Sequence, residues 1–328
     1  MVGKSALLTS RSRSLNIGDQ RIRVYLDGLD EIPVVSRRWE VLGLARKTAE
    51  QDANIQIILT SREYVYDRQA LWLPTLRLSE FEEAQSELLI AGWLTEQASE
   101  VQSFRAQLQA AETLKPLMRI PLLATLIILV FRQTRRLPEN RTRLYEMFID
   151  LLSGGWDLAK GVQRGSSFGS VVKLMVLRRL AAKVHLDGKR NFGAVDLKYT
   201  IRTTLSSKFM DHWEGLEQEL LQDGIITKVG VAYEFSHLSF QEFLAARDLL
   251  GDPTSMRAEV VLEKFLRGED WWREVLSFYA GLAGKPNEIL AWLSEAKTKW
   301  SVSVEGAEKR ANSLIQSIVQ SLPDYIGT

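Results

Sequence analysis

The residues with the most pointed chemistry lie in Val24-Tyr25-Leu26-Asp27-Gly28-Leu29-Asp30-Glu31, an apolar run that ends in carboxylates. In a parallel sheet, the carboxyl ends of the strands face the ligand crevice. An aspartate at such a position can hold a magnesium ion directly or through water, which makes Asp27 the candidate metal ligand. A second carboxylate nearby, Asp30 or Glu31, can orient or deprotonate an attacking water; the spacing leaves open which of the two does so. An acidic loop that merely caps a strand has the same composition, so the neighbouring run decides between the two readings. That run, Ile55 to Thr60, closes at Thr60-Ser61-Arg62, and Arg62 can reach a terminal phosphate as a charge-assisted donor. Alone, Arg62 reads as a surface partner for Glu63 or Asp67. Paired with Asp27 on an adjacent strand end, it points to phosphate chemistry.

The elements that must position these groups follow from periodicity. Ile22 to Asp27 and Ile55 to Thr60 are nearly continuous in apolar or β-branched character, as strands buried on both faces are. Between them, Trp39, Leu42, Leu44, Ala45 and Ala49 recur at roughly helical spacing across Val35 to Gln51, enough chain for a βαβ crossover. A third short strand is expected at Thr75 to Leu78. Ser79 with Glu82 three residues on then forms a capping-box pattern. Helices are expected over Glu80 to Glu96, Glu100 to Leu117, Pro121 to Arg135 and Glu139 to Ser153, with prolines at starts and Gly154-Gly155 as a stop.

Residues 160–170 hold the most linker-like composition, and a second helical block follows. It ends in a helix over Trp213 to Leu221, a turn at Asp223-Gly224, and two short apolar runs, Ile225 to Lys228 and Ala232 to Phe235. Helices followed by a hairpin suggest a winged helix. From Gly251 onward, more helices are expected, with Trp271, Trp272 and Trp292 as anchors and no repeat period.

Four segments, taken in order along the chain, resemble the NACHT family of STAND-class P-loop NTPases. Asp27-Gly28-Leu29-Asp30-Glu31 and Thr60-Ser61-Arg62 resemble its Walker B and sensor segments. Ile120-Pro121-Leu122-Leu123 with Leu137-Pro138-Glu139-Asn140-Arg141 resembles its helical region. Phe235-Ser236-His237-Leu238-Ser239-Phe240-Gln241-Glu242-Phe243 resembles its winged-helix signature. The resemblance implies an α/β-then-α fold: a partial parallel P-loop NTPase sheet over residues 1–78, a helical domain over 79–160, a winged-helix domain over 161–250 and a helical extension over 251–328. It also implies ATP/ADP and Mg2+ as ligands, slow ATP hydrolysis, self-association in the active state, and a role in immune or defence signalling. By the same resemblance Pro121 packs near the adenine and His237 touches the β-phosphate of ADP. A histidine ring nitrogen is a suitable phosphate donor; a histidine satisfied at a helix start is the competing reading.

Gly3-Lys4-Ser5 looks like the end of a Walker A loop, in which backbone amides and the lysine cradle phosphates and the serine hydroxyl joins Asp27 on magnesium. Only about twenty residues separate Ser5 from Asp27, few for the connections expected between these motifs. Two readings stay open: a shortened loop, or a tripeptide that matches by coincidence downstream of the true loop. Both describe an N-terminally truncated NTPase that lacks effector and sensor parts.

Composition bounds the alternatives. The 328 residues are 45% hydrophobic and carry a formal charge of +1, so no global electrostatic pull toward nucleic acid or anionic lipid is expected. Without cysteine there is neither a disulfide scaffold nor a thiolate nucleophile or metal site. The longest apolar run, Ile120 to Phe131, is shorter than the roughly 20 residues that span a bilayer, and a cytoplasmic protein with no membrane association is expected. One local basic excess, Lys173, Arg178, Arg179, Lys183, Lys189, Arg190, Lys198 and Arg202 against Asp187 and Asp196, motivates DNA binding through the winged helix. Solvated lysines and arginines covering apolar surface are the competing reading, and DNA is not the favoured partner. A catalytically silent remnant serving as an interaction scaffold is the third possibility.

Overall fold

The computed structural model describes residues 21–29, 32, 35–61, 74–94, 98–155, 168–205, 213–251, 257–301 and 306–321. The chain divides into two compact units, residues 1–65 and 66–328.

In the first unit, β1 (Ile22–Leu26) and β2 (Ile55–Leu59) pair in parallel, with Ile22 opposite Ile55 and Leu26 opposite Leu59. A parallel pair needs a crossover, and α1 (Val35–Gln51) supplies it. Arg38, Leu42 and Ala45, spaced four and three apart, are the buried positions of α1. Each strand alternates half-buried and exposed residues. The other face is open: Tyr25 and Ile58 are exposed, and Arg23 donates to Gln56 across the strands at 3.0 Å. Continuous burial was expected of both strands; as described, only one face of each is covered.

Among its described residues, the second unit is helical with one small antiparallel sheet. Its described residues begin with 74–80, which are in no regular structure where the third strand was expected; Leu76 and Leu78 are 98% and 96% exposed. Apolar alternation there is not matched by a ladder partner. Phe81 N–H instead bonds the carbonyl of Arg119, which keeps the chain extended past Ser79. The helix start therefore moves to Glu82, whose backbone N–H is capped by the Gln85 side chain, and α2 runs Glu83–Trp93.

Next come α3 (Ala98–Ala110) and a 3-10 turn over Pro116–Arg119, where one longer helix was expected. The nearly all-apolar α4 (Pro121–Thr134) starts with proline at its first position and stops at Arg135, whose φ of 58° closes it in the left-handed region. In α5 (Arg141–Asp150) the Asn140 side chain caps the Arg143 N–H at 2.9 Å. A π-type turn, Leu151–Gly155, follows.

The central stretch runs α6 (Ser170–Leu186), β3 (Asn191–Phe192), α7 (Ala194–Thr204), α8 (Trp213–Gln222), β4 (Ile226–Val229) and β5 (Ala232–Phe235). The three strands form one antiparallel sheet, ordered β3-β5-β4. Gly230, at φ 63°, makes the β4–β5 turn. Then α9 (Leu238–Gly251) is buried almost along its length and packs on α6, on α5 and on α11 (Arg273–Leu282). Helices α10 (Ala258–Leu266), α12 (Pro286–Ser301) and α13 (Ala307–Ser321) complete the unit.

One hydrophobic core runs from Ile90 to Ile318. The segments 79–160, 161–250 and 251–328 share it: Tyr145 of α5 meets Phe243 of α9 and Phe278 of α11 at ring-centroid distances of 5.7 and 4.8 Å. Among the described residues, no helix is long and apolar enough to cross a membrane.

Candidate functional site

The first candidate site is built where β1 and β2 end together. Thr60 N–H bonds the Leu26 carbonyl at 3.0 Å, and Leu29 N–H bonds the Thr60 carbonyl at 2.9 Å. For the chain to double back over Thr60, Gly28 adopts φ 76°, which explains a glycine directly after the aspartate. The Thr60 hydroxyl then does two jobs. It accepts the Gly28 N–H at 2.9 Å and donates to Asp27 Oδ1. Asp27 is exposed, yet one of its carboxylate oxygens is anchored from the neighbouring strand.

This arrangement fits a magnesium ion, which takes one or two protein carboxylates and fills its remaining positions with water and phosphate. Asp27 Oδ2 is the oxygen that the Thr60 hydroxyl does not use. Among the described residues, no group of three or more histidine, aspartate or glutamate side chains forms an all-protein metal cage. Asp30, Glu31, Arg62, Gly3, Lys4 and Ser5 lie outside the described residues. Thr60 is the contributor that sequence reasoning passed over. Its place before Ser61-Arg62 was noted, but only the parallel register shows its hydroxyl reaching across 33 positions to Asp27.

The remaining two expected contacts belong to the second unit. Pro121 is exposed at the first position of α4, and its carbonyl accepts the Thr125 hydroxyl at 2.9 Å. His237 immediately precedes α9. Its Nδ1 accepts the Ser239 N–H at 3.2 Å, the geometry of an N-cap, and its carbonyl accepts the Phe240 N–H at 2.9 Å. The helix-start role weighed from sequence is thus real for one ring nitrogen. Because a backbone N–H can only donate, this contact favours an unprotonated Nδ1, with the proton of a neutral ring on Nε2.

Behind His237 lies a buried polar cluster with no sequence signal. Ser239 Oγ is 2.7 Å from His237 Nδ1, and the Tyr145 hydroxyl donates to Ser239 Oγ at 2.9 Å. Burial pushes the Tyr145 phenol up from its ordinary value, so it remains a donor. Arg141 sits beside the Tyr145 ring and pairs with Glu274 of α11 at 2.8 Å. Burial works against the guanidinium charge there, but the Glu274 charge and hydrogen bond outweigh it and raise its pKa.

Seven of the eight basic residues of the central stretch have a partner within the chain. Lys173, only 2% exposed, pairs with Glu219 and Asp223. Arg178 and Arg179 flank the buried Asp248, Lys183 meets Asp187 and Asp196, Lys189 meets Asp187, and Arg190 meets Glu234. Lys198 lies over the Trp213 ring at 4.7 Å.

No protein-family model matches the chain, and no curated protein matches it.

Proposed function

We propose that this chain is a nucleotide-dependent signalling switch of the NACHT/STAND type, which binds ATP and ADP with Mg2+ and hydrolyses ATP slowly. The observation that carries this reading is the Asp27 carboxylate, fixed by the Thr60 hydroxyl at the shared carboxyl edge of two parallel strands, with a left-handed glycine after it. A second support is the order α6-β3-α7-α8-β4-β5 with its three-stranded sheet, the order of a winged helix, followed directly by His237 at a helix start.

Bound magnesium would neutralise charge on the phosphates. In this reading Asp27 holds the ion, Arg62 donates to the terminal phosphate, and Asp30 or Glu31 orients the attacking water. Gly3, Lys4 and Ser5 serve as the phosphate loop, and Pro121 packs near the adenine. His237 donates from Nε2 to the β-phosphate of ADP and thereby favours the resting state. Exchange for ATP loses that contact and frees copies of the chain to assemble, a population shift driven by a state-specific contact.

The experiment uses His237→Asn, because asparagine retains an N-cap acceptor for the Ser239 N–H and removes the Nε2 donor. ADP dissociation is expected to accelerate about ten- to a hundredfold, the value of a hydrogen bond to a charged group, with the melting temperature unchanged. Equal ADP dissociation from variant and wild type rejects the role of His237. Failure of every form to bind nucleotide favours the silent scaffold.

A further inference from the structure

A neutral histidine offers one donor and one acceptor, and its neighbours decide which nitrogen is which. At His237 the deciding neighbours form a chain that begins on another helix, at Tyr145, 94 positions before Ser239. The Tyr145 hydroxyl donates to Ser239 Oγ at 2.9 Å; the Ser239 hydroxyl, its acceptor side so engaged, lies 2.7 Å from His237 Nδ1. The Ser239 N–H points at the same nitrogen from 3.2 Å. Two donors on Nδ1 leave Nε2 as the protonated position.

The first member of this chain is fixed in place. Tyr145 is 1% exposed, and its ring is enclosed by Phe240, Phe243 and Phe278 at centroid distances of 6.0, 5.7 and 4.8 Å. Ser239 is 4% exposed. The hydroxyl of Tyr145 therefore meets Ser239 from a single direction, with little rotational freedom to lose. A buried tyrosine needs only some acceptor, and a backbone carbonyl would satisfy it. Here its proton goes instead to a hydroxyl whose own proton is thereby directed at a half-buried imidazole.

We propose that Tyr145 and Ser239 are positioning residues for His237: the relay from α5 through the first turn of α9 holds the imidazole as the Nε2–H tautomer, which presents a donor to an anionic oxygen of phosphate type. The proposal rests on the nucleotide reading above, and it adds how the phosphate donor is kept in the donating form.

The test has two arms on the full chain. In the first, nitrogen-15 NMR of labelled histidine, without nucleotide, reports the tautomer of His237, its resonance assigned by its loss in His237→Asn. Wild type is expected to show protonated Nε2 and bare Nδ1. Ser239→Ala, which removes the hydroxyl and leaves the backbone N–H on Nδ1, is expected to shift the ring partly toward Nδ1–H, and Tyr145→Phe, which keeps every ring contact and removes only the hydroxyl, to give a smaller shift in the same direction. In the second arm, ADP affinity is expected to fall in proportion to the Nε2–H population lost, about twofold in Ser239→Ala and less in Tyr145→Phe. A tautomer unchanged in both variants overturns the relay. A tautomer shift in the variants, with no ADP binding even by wild type, upholds the relay and rejects the nucleotide reading instead.

Discussion

Gly281, in α11, has no room for a side chain. A Cβ there would lie 2.1 Å from Thr142 Oγ1, 2.9 Å from Thr142 Cβ and 3.2 Å from Thr142 Cγ2. Rotating the threonine does not relieve the overlap, because its own Cβ is already too close. Gly281→Ala therefore forces α5 and α11 apart, at an overpacking cost of about 1–3 kcal/mol. Helix propensity returns at most about 1 kcal/mol of this. The expected net loss is about 1–2 kcal/mol, read as a lower urea midpoint in helical circular dichroism. Thr142→Gly removes all three obstructing atoms. In that background Gly281→Ala should become neutral or stabilising, which gives a coupling of about 2 kcal/mol in the double-mutant cycle. Additive effects, or a stabilising Gly281→Ala in the wild-type background, would refute the close approach. The contact bears on function because α5 and α11 carry Tyr145, Arg141 and Glu274.

Two further expectations concern charge. Replacing Lys173 with methionine leaves the Glu219 and Asp223 carboxylates, 15% and 10% exposed, without their shared cation. The expected loss is about 3–5 kcal/mol by chemical denaturation, and a loss below about 1 kcal/mol would contradict it. The Lys183 hydrogen bond, then the Gly193 N–H, hold the Asp196 carboxyl below its ordinary value of 3.8. Its stabilisation is thus complete above that value and disappears as pH falls through the lowered one. Asp196→Asn, which keeps an acceptor for Gly193, should flatten the acid limb of stability below pH 3.8; an unchanged limb counts against the linkage.

The sequence was most legible where pattern is local. The helix expected over Val35 to Gln51 has the observed bounds, and β1 and β2 end within one residue of their expected limits, just before Asp27 and Thr60. The hairpin and the turn glycines at 224 and 230 were equally visible, since their φ values of 74° and 63° select glycine. Long-range pairing was not. The apolar alternation at 75–78 is a strand signal, but a strand also needs an edge to pair with, and the Phe81–Arg119 bond also shifted the next helix start from Ser79 to Glu82. Asn191–Phe192 is too short to show any period and is a strand only because β5 lies beside it. The C-terminal helices looked opaque because their anchors act at a distance: Trp271 stacks on His185 at 4.6 Å, and its Nε1–H bonds the His185 carbonyl at 3.0 Å.

The candidate residues of the two units divide in the same way. Asp27 and His237 were legible from residue type beside an element boundary. Thr60, Tyr145 and Ser239 act through hydroxyls, which composition does not distinguish from ordinary surface or core positions.

The most direct measurement is calorimetric titration of the full chain with ADP, with and without Mg2+, in wild type and Asp27→Asn. ADP binding that magnesium strengthens in wild type, and that loses this dependence in Asp27→Asn, is the expected result. Absence of ADP binding by wild type, or a magnesium dependence that survives in the variant, would contradict the nucleotide-switch account.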